Sequence, residues 1–336
     1  MGDFVASRKA LPRFGSRVFS VFVICTAALL AAVASGCRAP SPRPHEGQAD
    51  ATAGAHLSEF PDDSGRTPPV VLLPGPTSAG AQPVGGVLLV LHGYGSDGAG
   101  HQSFFPVSST SGLVTIAPSG RLDKTGRRYW AANGVCCSFD APPDDVDVTY
   151  VLALLDAAEA RWSLPRGQAR LAGHSNGAAL AIRLACEHPE RFSKVVAFAG
   201  PVDAVPAACN VGAGERPSIV IAHGRNDRVV PYAGGPLPAT IHPNAHPGAV
   251  ALGAEALVAS LRGGGCSMVG RDLAPLNIDG ARPDLETTRR LFLRDCDGTS
   301  HGKHGVIELW SMDRVGHAPY APAEAWRGAL EEFFLR

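Results

Sequence analysis

Gly173-His174-Ser175-Asn176-Gly177 is the stretch that decides the fold of this chain. The residues before it, 170–172, predict a strand, and residues 178–186 predict a helix. Glycines on both flanks permit the tight, strained strand-to-helix turn that raises a serine hydroxyl above a sheet. The dipole of the following helix favours negative charge developing there. Ordinary glycine-rich turns also produce such a pentapeptide, but its position between strand and helix predicts a nucleophile elbow carrying Ser175.

Short apolar runs alternate with helix-like segments along the rest of the chain. The runs are bounded by proline and glycine, as buried strands are, and lie at 70–73, 86–91, 113–117, 193–198, 218–222 and 306–310. The helix-like segments lie at 144–162, 178–188, 251–261 and 323–334. This order predicts an α/β domain with a mostly parallel central sheet, helices on both faces, and the chemistry in loops at the carboxyl ends of the strands.

An aspartate and a histidine follow Ser175 in the positions that a catalytic triad requires. Asp227 comes just after the strand predicted at 218–222, where a carboxylate can hold a histidine in one tautomer. Asp203, after the preceding strand, is the rival acid. His317 follows the last predicted strand and is the candidate general base, the alternative being a histidine that only faces solvent. The order Ser175, Asp227, His317 predicts acyl transfer that needs neither a metal nor an organic cofactor.

Leu91-His92-Gly93-Tyr94-Gly95 follows an early predicted strand. A His-Gly turn at this place commonly donates one backbone N–H to an oxyanion, so we expect the N–H groups of Tyr94 and Asn176 to form the oxyanion hole. Each such donor lowers the barrier by about 3 kcal/mol. The alternative is a tight turn whose glycines serve geometry alone. We expect the side chains of His92 and His174 to pack or bond locally rather than react.

The N-terminus has the composition of a bacterial export signal. Within residues 1–36, four basic residues precede an uncharged apolar run over 18–34. The run ends in Val33-Ala34-Ser35-Gly36-Cys37, which resembles the lipobox of bacterial lipoproteins. We therefore expect an exported protein, acylated at Cys37 and held at the cell envelope by its lipid, with ordinary secretion or an uncleaved anchor as alternatives. Residues 37–69 lack hydrophobic periodicity and predict a disordered tether, and the domain is expected at 70–336.

The charge and cysteine counts exclude some partners. Because 30 Lys and Arg residues balance 31 Asp and Glu residues, the chain lacks the basic footprint of nucleic-acid binding. We also expect a monomer. An even number of cysteines in an oxidising compartment favours disulfides, and their spacing does not suit zinc. The six beyond residue 37 are Cys136, Cys137, Cys186, Cys209, Cys266 and Cys296.

From residue 69 to 334 the chain resembles the secreted esterase family that contains poly(3-hydroxybutyrate) depolymerases, feruloyl esterases and acetylxylan esterases. The motifs that carry the resemblance are the elbow, the segment 91–95, Trp130 with 134–137, Val146-Asp147-Val148, the loop 223–227 with 230–232, and Cys266 with Cys296. The resemblance implies an α/β-hydrolase that cleaves polyhydroxybutyrate-type oligoesters or feruloyl and acetyl esters through an acyl-enzyme. The segment 315–320 departs from the family pattern because it lacks a tryptophan after the histidine.

The resemblance also implies that Cys266 pairs with Cys296 and that Cys186 pairs with Cys209. Cys136 and Cys137 are then left together, either as a disulfide between neighbours, as two thiols or in a different pairing.

Trp130 is a candidate substrate-binding residue that can stack on an aromatic acyl group or a sugar, or it can pack on the rim of the sheet. A serine peptidase on the same fold and a non-catalytic surface binding protein are the alternative functions.

Overall fold

The structure is a computed structural model that describes residues 65–76, 80, 83–137, 143–210, 216–238, 249–262, 270–280, 284–293, 305–319 and 324–336. The predicted export signal, Cys37, Cys266 and Cys296 lie outside these residues. The helices that are described fall short of the length and apolar character that crossing a bilayer demands.

Thirteen strands and five α-helices occur in the described part of the chain. The strands are β1 (Val70–Leu72), β2 (Gly86–Leu91), β3 (Leu113–Ala117), β4 (Arg121–Leu122), β5 (Arg128–Tyr129), β6 (Ala169–His174), β7 (Phe192–Phe198), β8 (Ser218–Gly224), β9 (Gly234–Pro236), β10 (Val250–Leu252), β11 (Arg271–Leu276), β12 (Thr287–Phe292) and β13 (Ile307–Met312). The helices are α1 (Gly98–His101), α2 (Val146–Trp162), α3 (Asn176–Glu187), α4 (Ala254–Arg262) and α5 (Glu324–Leu335).

Nine of the described strands form one central sheet in the order β1-β3-β2-β6-β7-β8-β13-β12-β11. The six strands from β3 to β13 run parallel. Antiparallel strands flank them on both sides, β1 at one edge and the β12–β11 pair at the other. The predicted mostly parallel sheet is therefore confirmed, and β11 and β12 extend it in a way that the sequence patterns did not predict.

Alternate residues of the central strands fill two separate cores. On β2, Leu89 and Leu91 contribute to the core under α2, α3 and α4, whereas Leu88 and Val90 contribute to the core under α5. Successive side chains of a strand point to opposite faces, so a strand covered on both sides is apolar throughout. This explains why β2 is an unbroken apolar run and confirms the prediction of helices on both faces.

Arg66 attaches the chain ahead of β1 to the domain. Its buried guanidinium lies 2.5 Å from Asp147 Oδ1 at the start of α2 and 4.1 Å from the ring centre of Tyr150. It also donates to the carbonyl oxygen of Ser119 at 3.2 Å. The chain is therefore attached to the domain from Arg66, which lies within the segment 37–69 that was predicted as a tether.

Two disulfides occur among the described residues. Cys186, at the end of α3, is bonded to Cys209 in a short 3₁₀ turn, the pairing that the resemblance implied. Cys136 is bonded to its neighbour Cys137, which is one of the arrangements that the sequence left open.

Candidate active site

Ser175 occupies the sharp turn between β6 and α3. Its backbone has φ 54° and ψ −120°, a left-handed conformation that non-glycine residues rarely adopt. The turn is held because the Ser175 N–H donates to the carbonyl of Phe198 on β7 at 2.8 Å, and its own carbonyl accepts from Ala178 and Ala179. Ser175 retains 7% of its surface at the carboxyl end of the sheet. The predicted nucleophile elbow is therefore present in its geometry.

The two flanking glycines are required by close backbone contacts. A Cβ atom on Gly173 would lie 2.3 Å from the carbonyl oxygen of Gly177. A Cβ atom on Gly177 would lie 2.4 Å from the carbonyl oxygen of Leu91 and 2.5 Å from that of His92. Because real Cβ atoms do not approach so closely, only glycine allows α3 to press against the end of β2. The elbow and the loop after β2 are thus in direct contact.

Asp227 and His317 meet at the same edge of the sheet. His317 Nδ1 lies 2.8 Å from Asp227 Oδ2, the Asp227 side chain is fully buried, and the His317 side chain is 19% exposed. A carboxylate oxygen only accepts hydrogen bonds, so Nδ1 carries the proton and Nε2 is the basic nitrogen. Among the described contacts, the hydroxyl of Ser175 is not hydrogen-bonded to His317. In serine hydrolases this contact often forms fully only with substrate bound.

The Asp227 carboxylate accepts four hydrogen bonds. Oδ1 accepts from the backbone N–H groups of Val229 and Val230 at 2.8 and 2.9 Å. Oδ2 accepts from His317 and, at 3.2 Å, from His223 Nε2. Burial raises the pKa of Asp227, but the hydrogen bonds from His223 and His317 outweigh it and hold the pKa well below its usual range. Asp227 therefore stays ionised near neutral pH.

The rival acid, Asp203, makes different contacts. Its Oδ1 accepts from the N–H of the next residue, Ala204, at 2.8 Å, and its side chain lies beside Gly134. The contacts described for Asp203 include no histidine, so the geometry favours Asp227.

His174 links the elbow to the loop of His317. Its Nε2 lies 2.9 Å from the backbone carbonyl oxygen of His317, so this nitrogen carries the proton. The ring stacks on Phe104 at 4.5 Å and on His101 at 5.0 Å between ring centres. Burial lowers the pKa of His174 well below its usual value, and the ring stays neutral. The residue before Ser175 thus holds the backbone of the candidate base in place.

His92 fixes the loop that follows β2. Its Nδ1 donates to the carbonyl of Gly93 at 2.7 Å, and its Nε2 accepts from the N–H of Gly120 at 2.8 Å. Burial lowers its pKa to about 4. A Cβ atom on Gly93 would lie 3.3 Å from the Cβ atom of Ser175, so this loop passes directly beside the elbow. Tyr94, the residue expected to offer an oxyanion N–H, comes next.

The prediction that Trp130 binds substrate is wrong. The ring is completely buried, and its Nε1 donates to the carbonyl of His92 at 3.0 Å. Its backbone N–H and carbonyl both bond the side-chain amide of Asn176, at 2.7 and 2.9 Å. A ring without exposed surface cannot stack on a ligand, so Trp130 instead joins the loop after β2 to the elbow. Tyr129, which precedes Trp130, is partly buried and packs on an apolar cluster that includes the Cys136–Cys137 disulfide. Tyr94 is also partly buried and packs on the same cluster.

The overall fold of this chain is similar to that of solved esterase structures. The acetyl xylan esterase from Aspergillus awamori superposes with a TM-score of 0.51 at 14% identity, over 79% of this chain and 93% of that chain. The chain has the α/β-hydrolase fold. Two further structures align over similar shares of this chain with lower scores. Esterase PE8 is 17% identical over 80% of this chain and 97% of its own, with a TM-score of 0.46. The Bacillus cereus carboxylesterase is 14% identical over 81% and 94%, with a TM-score of 0.44.

Sequence comparison adds a family match to this hydrolase fold. Residues 151–243 match a family described as "Putative esterase". This segment contains Ser175 and Asp227 and ends before His317. No curated protein sequence matches the chain. The family match supports a carboxylic ester hydrolase.

Proposed function

We propose that this protein is an exported serine esterase that hydrolyses carboxylic esters with Ser175 as nucleophile, His317 as general base and Asp227 as the orienting acid. The observation that carries the proposal is the 2.8 Å contact between His317 and the buried Asp227 carboxylate, with the loop of His317 fixed to the strained elbow of Ser175 by His174. A surface histidine or an ordinary glycine-rich turn needs neither feature.

The geometry supports a two-step acyl transfer. His317 Nε2 removes the proton from the Ser175 hydroxyl as Oγ bonds the ester carbonyl carbon. The backbone N–H groups of Tyr94 and Asn176 donate to the resulting oxyanion. When the tetrahedral intermediate collapses, the bond to the alcohol oxygen breaks and His317 returns its proton to that oxygen. Water then attacks the acyl-enzyme by the same route, which releases the acid and restores Ser175.

Asp227 supplies the electrostatic part of the mechanism. Its carboxylate is ionised and buried, so its negative charge acts at short range on His317 when that ring becomes an imidazolium. The same contact keeps the Nδ1 proton in place and leaves Nε2 free to accept a proton from serine.

The substrate class that we propose is a polyhydroxybutyrate-type oligoester or a feruloyl or acetyl ester. The resemblance of the sequence motifs to the secreted esterase family supports it. The partly buried rings of Tyr94, in the loop after β2, and Tyr129, in β5, offer apolar surface for such a group.

Export and acylation at Cys37 complete the proposal. The composition of residues 1–36 supports them, and the Cys136–Cys137 and Cys186–Cys209 disulfides suit an oxidising compartment. In a bacterial host, Cys37→Ser should move the protein from the membrane fraction to the soluble fraction. Fractionation that does not change would contradict acylation at this residue.

The decisive experiment compares Ser175→Ala with the matched control Ser193→Ala, which changes a serine outside the site. Initial rates are measured on p-nitrophenyl acetate, methyl ferulate, 3-hydroxybutyrate oligomers and a peptide p-nitroanilide. We expect ester turnover that only Ser175→Ala abolishes, and a mass increase after fluorophosphonate treatment that only Ser175→Ala prevents. Turnover that survives Ser175→Ala would refute the mechanism, and faster cleavage of the anilide would favour a peptidase.

A further inference from the structure

We propose that His223 is a positioning residue for the catalytic acid: it donates a hydrogen bond to Asp227 Oδ2 and so fixes the carboxylate for His317. This inference rests on the proposed esterase mechanism. It assigns a role to a second histidine that the mechanism itself does not use.

The protonation of His223 follows from its neighbours. Nε2 lies 2.9 Å from the carbonyl oxygen of Val230 and 3.2 Å from Asp227 Oδ2. Both oxygens only accept hydrogen bonds, so Nε2 must carry a proton that the two share. Two imidazoles therefore donate to one oxygen of the same carboxylate, His317 from the loop after β13 and His223 from β8.

The backbone around each partner explains why the second donor matters. Asp227 and His317 both lie in loops, whereas His223 is the penultimate residue of β8 and is paired in register with Ser311 of β13. His223 is also buried, so the surrounding side chains hold its ring in position. The backbone N–H groups of Val229 and Val230 hold only Oδ1. Without His223, rotation about the bond to the carboxylate would move Oδ2 away from His317.

The far side of His223 is closed by protein. The ring of Tyr232 packs edge-on against it at 5.6 Å between ring centres, and the Tyr232 hydroxyl is 2.7 Å from the hydroxyl of Ser311. Substrate therefore cannot reach His223, and its effect on the reaction passes through Asp227. The contact fixes geometry and transfers no proton to the ester.

The test uses His223→Leu, which removes the donor, and His223→Gln, whose amide N–H reaches about as far as Nε2. We expect kcat to fall by roughly 10²-fold in His223→Leu with KM unchanged, because a small displacement of a catalytic group costs about that much. His223→Gln should recover most of the loss. His188→Leu, a change at a partly exposed histidine after α3, serves as the control and should keep the original rates.

A second readout does not depend on turnover. The proton between His317 Nδ1 and Asp227 should give a low-field NMR resonance in the original protein and in His223→Gln, and a broadened or missing one in His223→Leu. Unchanged kcat and an unchanged resonance in His223→Leu would overturn the inference, as would equal losses in both His223 variants. If the original protein neither hydrolyses esters nor reacts with fluorophosphonate, the proposed function fails, and the resonance alone decides the role of His223.

Discussion

Asp147 and Asp227 are two carboxylates with fully buried side chains in one domain, and their partners differ. Asp147 lies between the guanidinium groups of Arg66 and Arg121, at 2.5 and 3.2 Å, and accepts the N–H of Ala131. The four donors recorded for Asp227 are two backbone N–H groups and two histidines. Two equally buried carboxylates therefore have different partners, which are arginines for Asp147 and hydrogen-bonding N–H groups for Asp227.

The difference shows what a buried carboxylate needs for catalysis. Fixed cations neutralise Asp147, so it stabilises the junction of the N-terminal segment with α2 and exerts little field elsewhere. Hydrogen bonds from backbone N–H groups and histidine rings, and not from arginines, stabilise the ionised form of Asp227. That charge lies next to His317, where the proposed reaction forms an imidazolium.

The largest expected effect is on turnover, in Asp227→Asn. An amide at this position can donate to His317 Nδ1, which leaves the proton on Nε2 and prevents it from acting as a base. We expect kcat on p-nitrophenyl acetate to fall about 10⁴-fold. Near-UV circular dichroism should show a folded protein. A fall of less than tenfold would mean that Asp227 is not the orienting acid.

The second effect is on folding, in Asp147→Asn. This change removes the negative charge beside the buried Arg66 guanidinium, and breaking one side of a buried ion pair costs about 3–5 kcal/mol of unfolding free energy. Urea unfolding measures the loss. Turnover per folded molecule should stay near the original value, which is the reverse of the outcome for Asp227→Asn. A turnover loss as large as the Asp227 effect would erase the distinction between the two carboxylates.

His92 is a buried group that, unlike the two carboxylates, is neutral in the folded state. In the unfolded chain it binds a proton near pH 6.5, but burial lowers its pKa to about 4 in the folded state. Between these values the unfolded state binds more protons, so stability is complete above pH 6.5 and decreases as the pH falls towards 4. The loss should reach about 3 kcal/mol. Urea unfolding at several pH values should show a weaker pH dependence in His92→Gln, and an equal dependence would contradict this account.

The smallest expected effect is on stability, in Arg121→Met, because the two arginines that contact Asp147 differ in exposure. The Arg66 side chain is 2% exposed and that of Arg121 is 24% exposed. Water screens the outer pair, so Arg121→Met should cost less than about 1 kcal/mol in urea unfolding. A cost as large as that of Asp147→Asn would show that Arg121 supplies most of the neutralising charge.

Much of this architecture could be predicted because its signals are local. The apolar runs and the glycines around Ser175 reflect burial and close backbone contacts of those same residues. β11 and β12 could not be predicted in this way. β12 begins with four polar residues, β11 contains Pro275, and the pairings of β11 with β12 and of β12 with β13 leave no short-range pattern in the sequence.

The errors within the site concern which way a side chain points. Tyr129 and Trp130 are adjacent, and only the structure shows that Trp130 faces the interior while Tyr129 is partly exposed. No role was predicted for His223 because the predicted strand ended at residue 222 and placed this histidine in a loop, whereas β8 continues to Gly224. A histidine four residues before the candidate acid was the available signal.

The contact of Arg66 determines how the domain would bear a mechanical load. A pull transmitted along the preceding chain reaches Arg66 before it reaches β1, the short edge strand that begins at Val70. The buried ion pair with Asp147 and the packing on Tyr150 resist that pull first. A force applied from the N-terminal side is thus transmitted to α2. The hydrogen bonds between β1 and β3 then do not bear it directly.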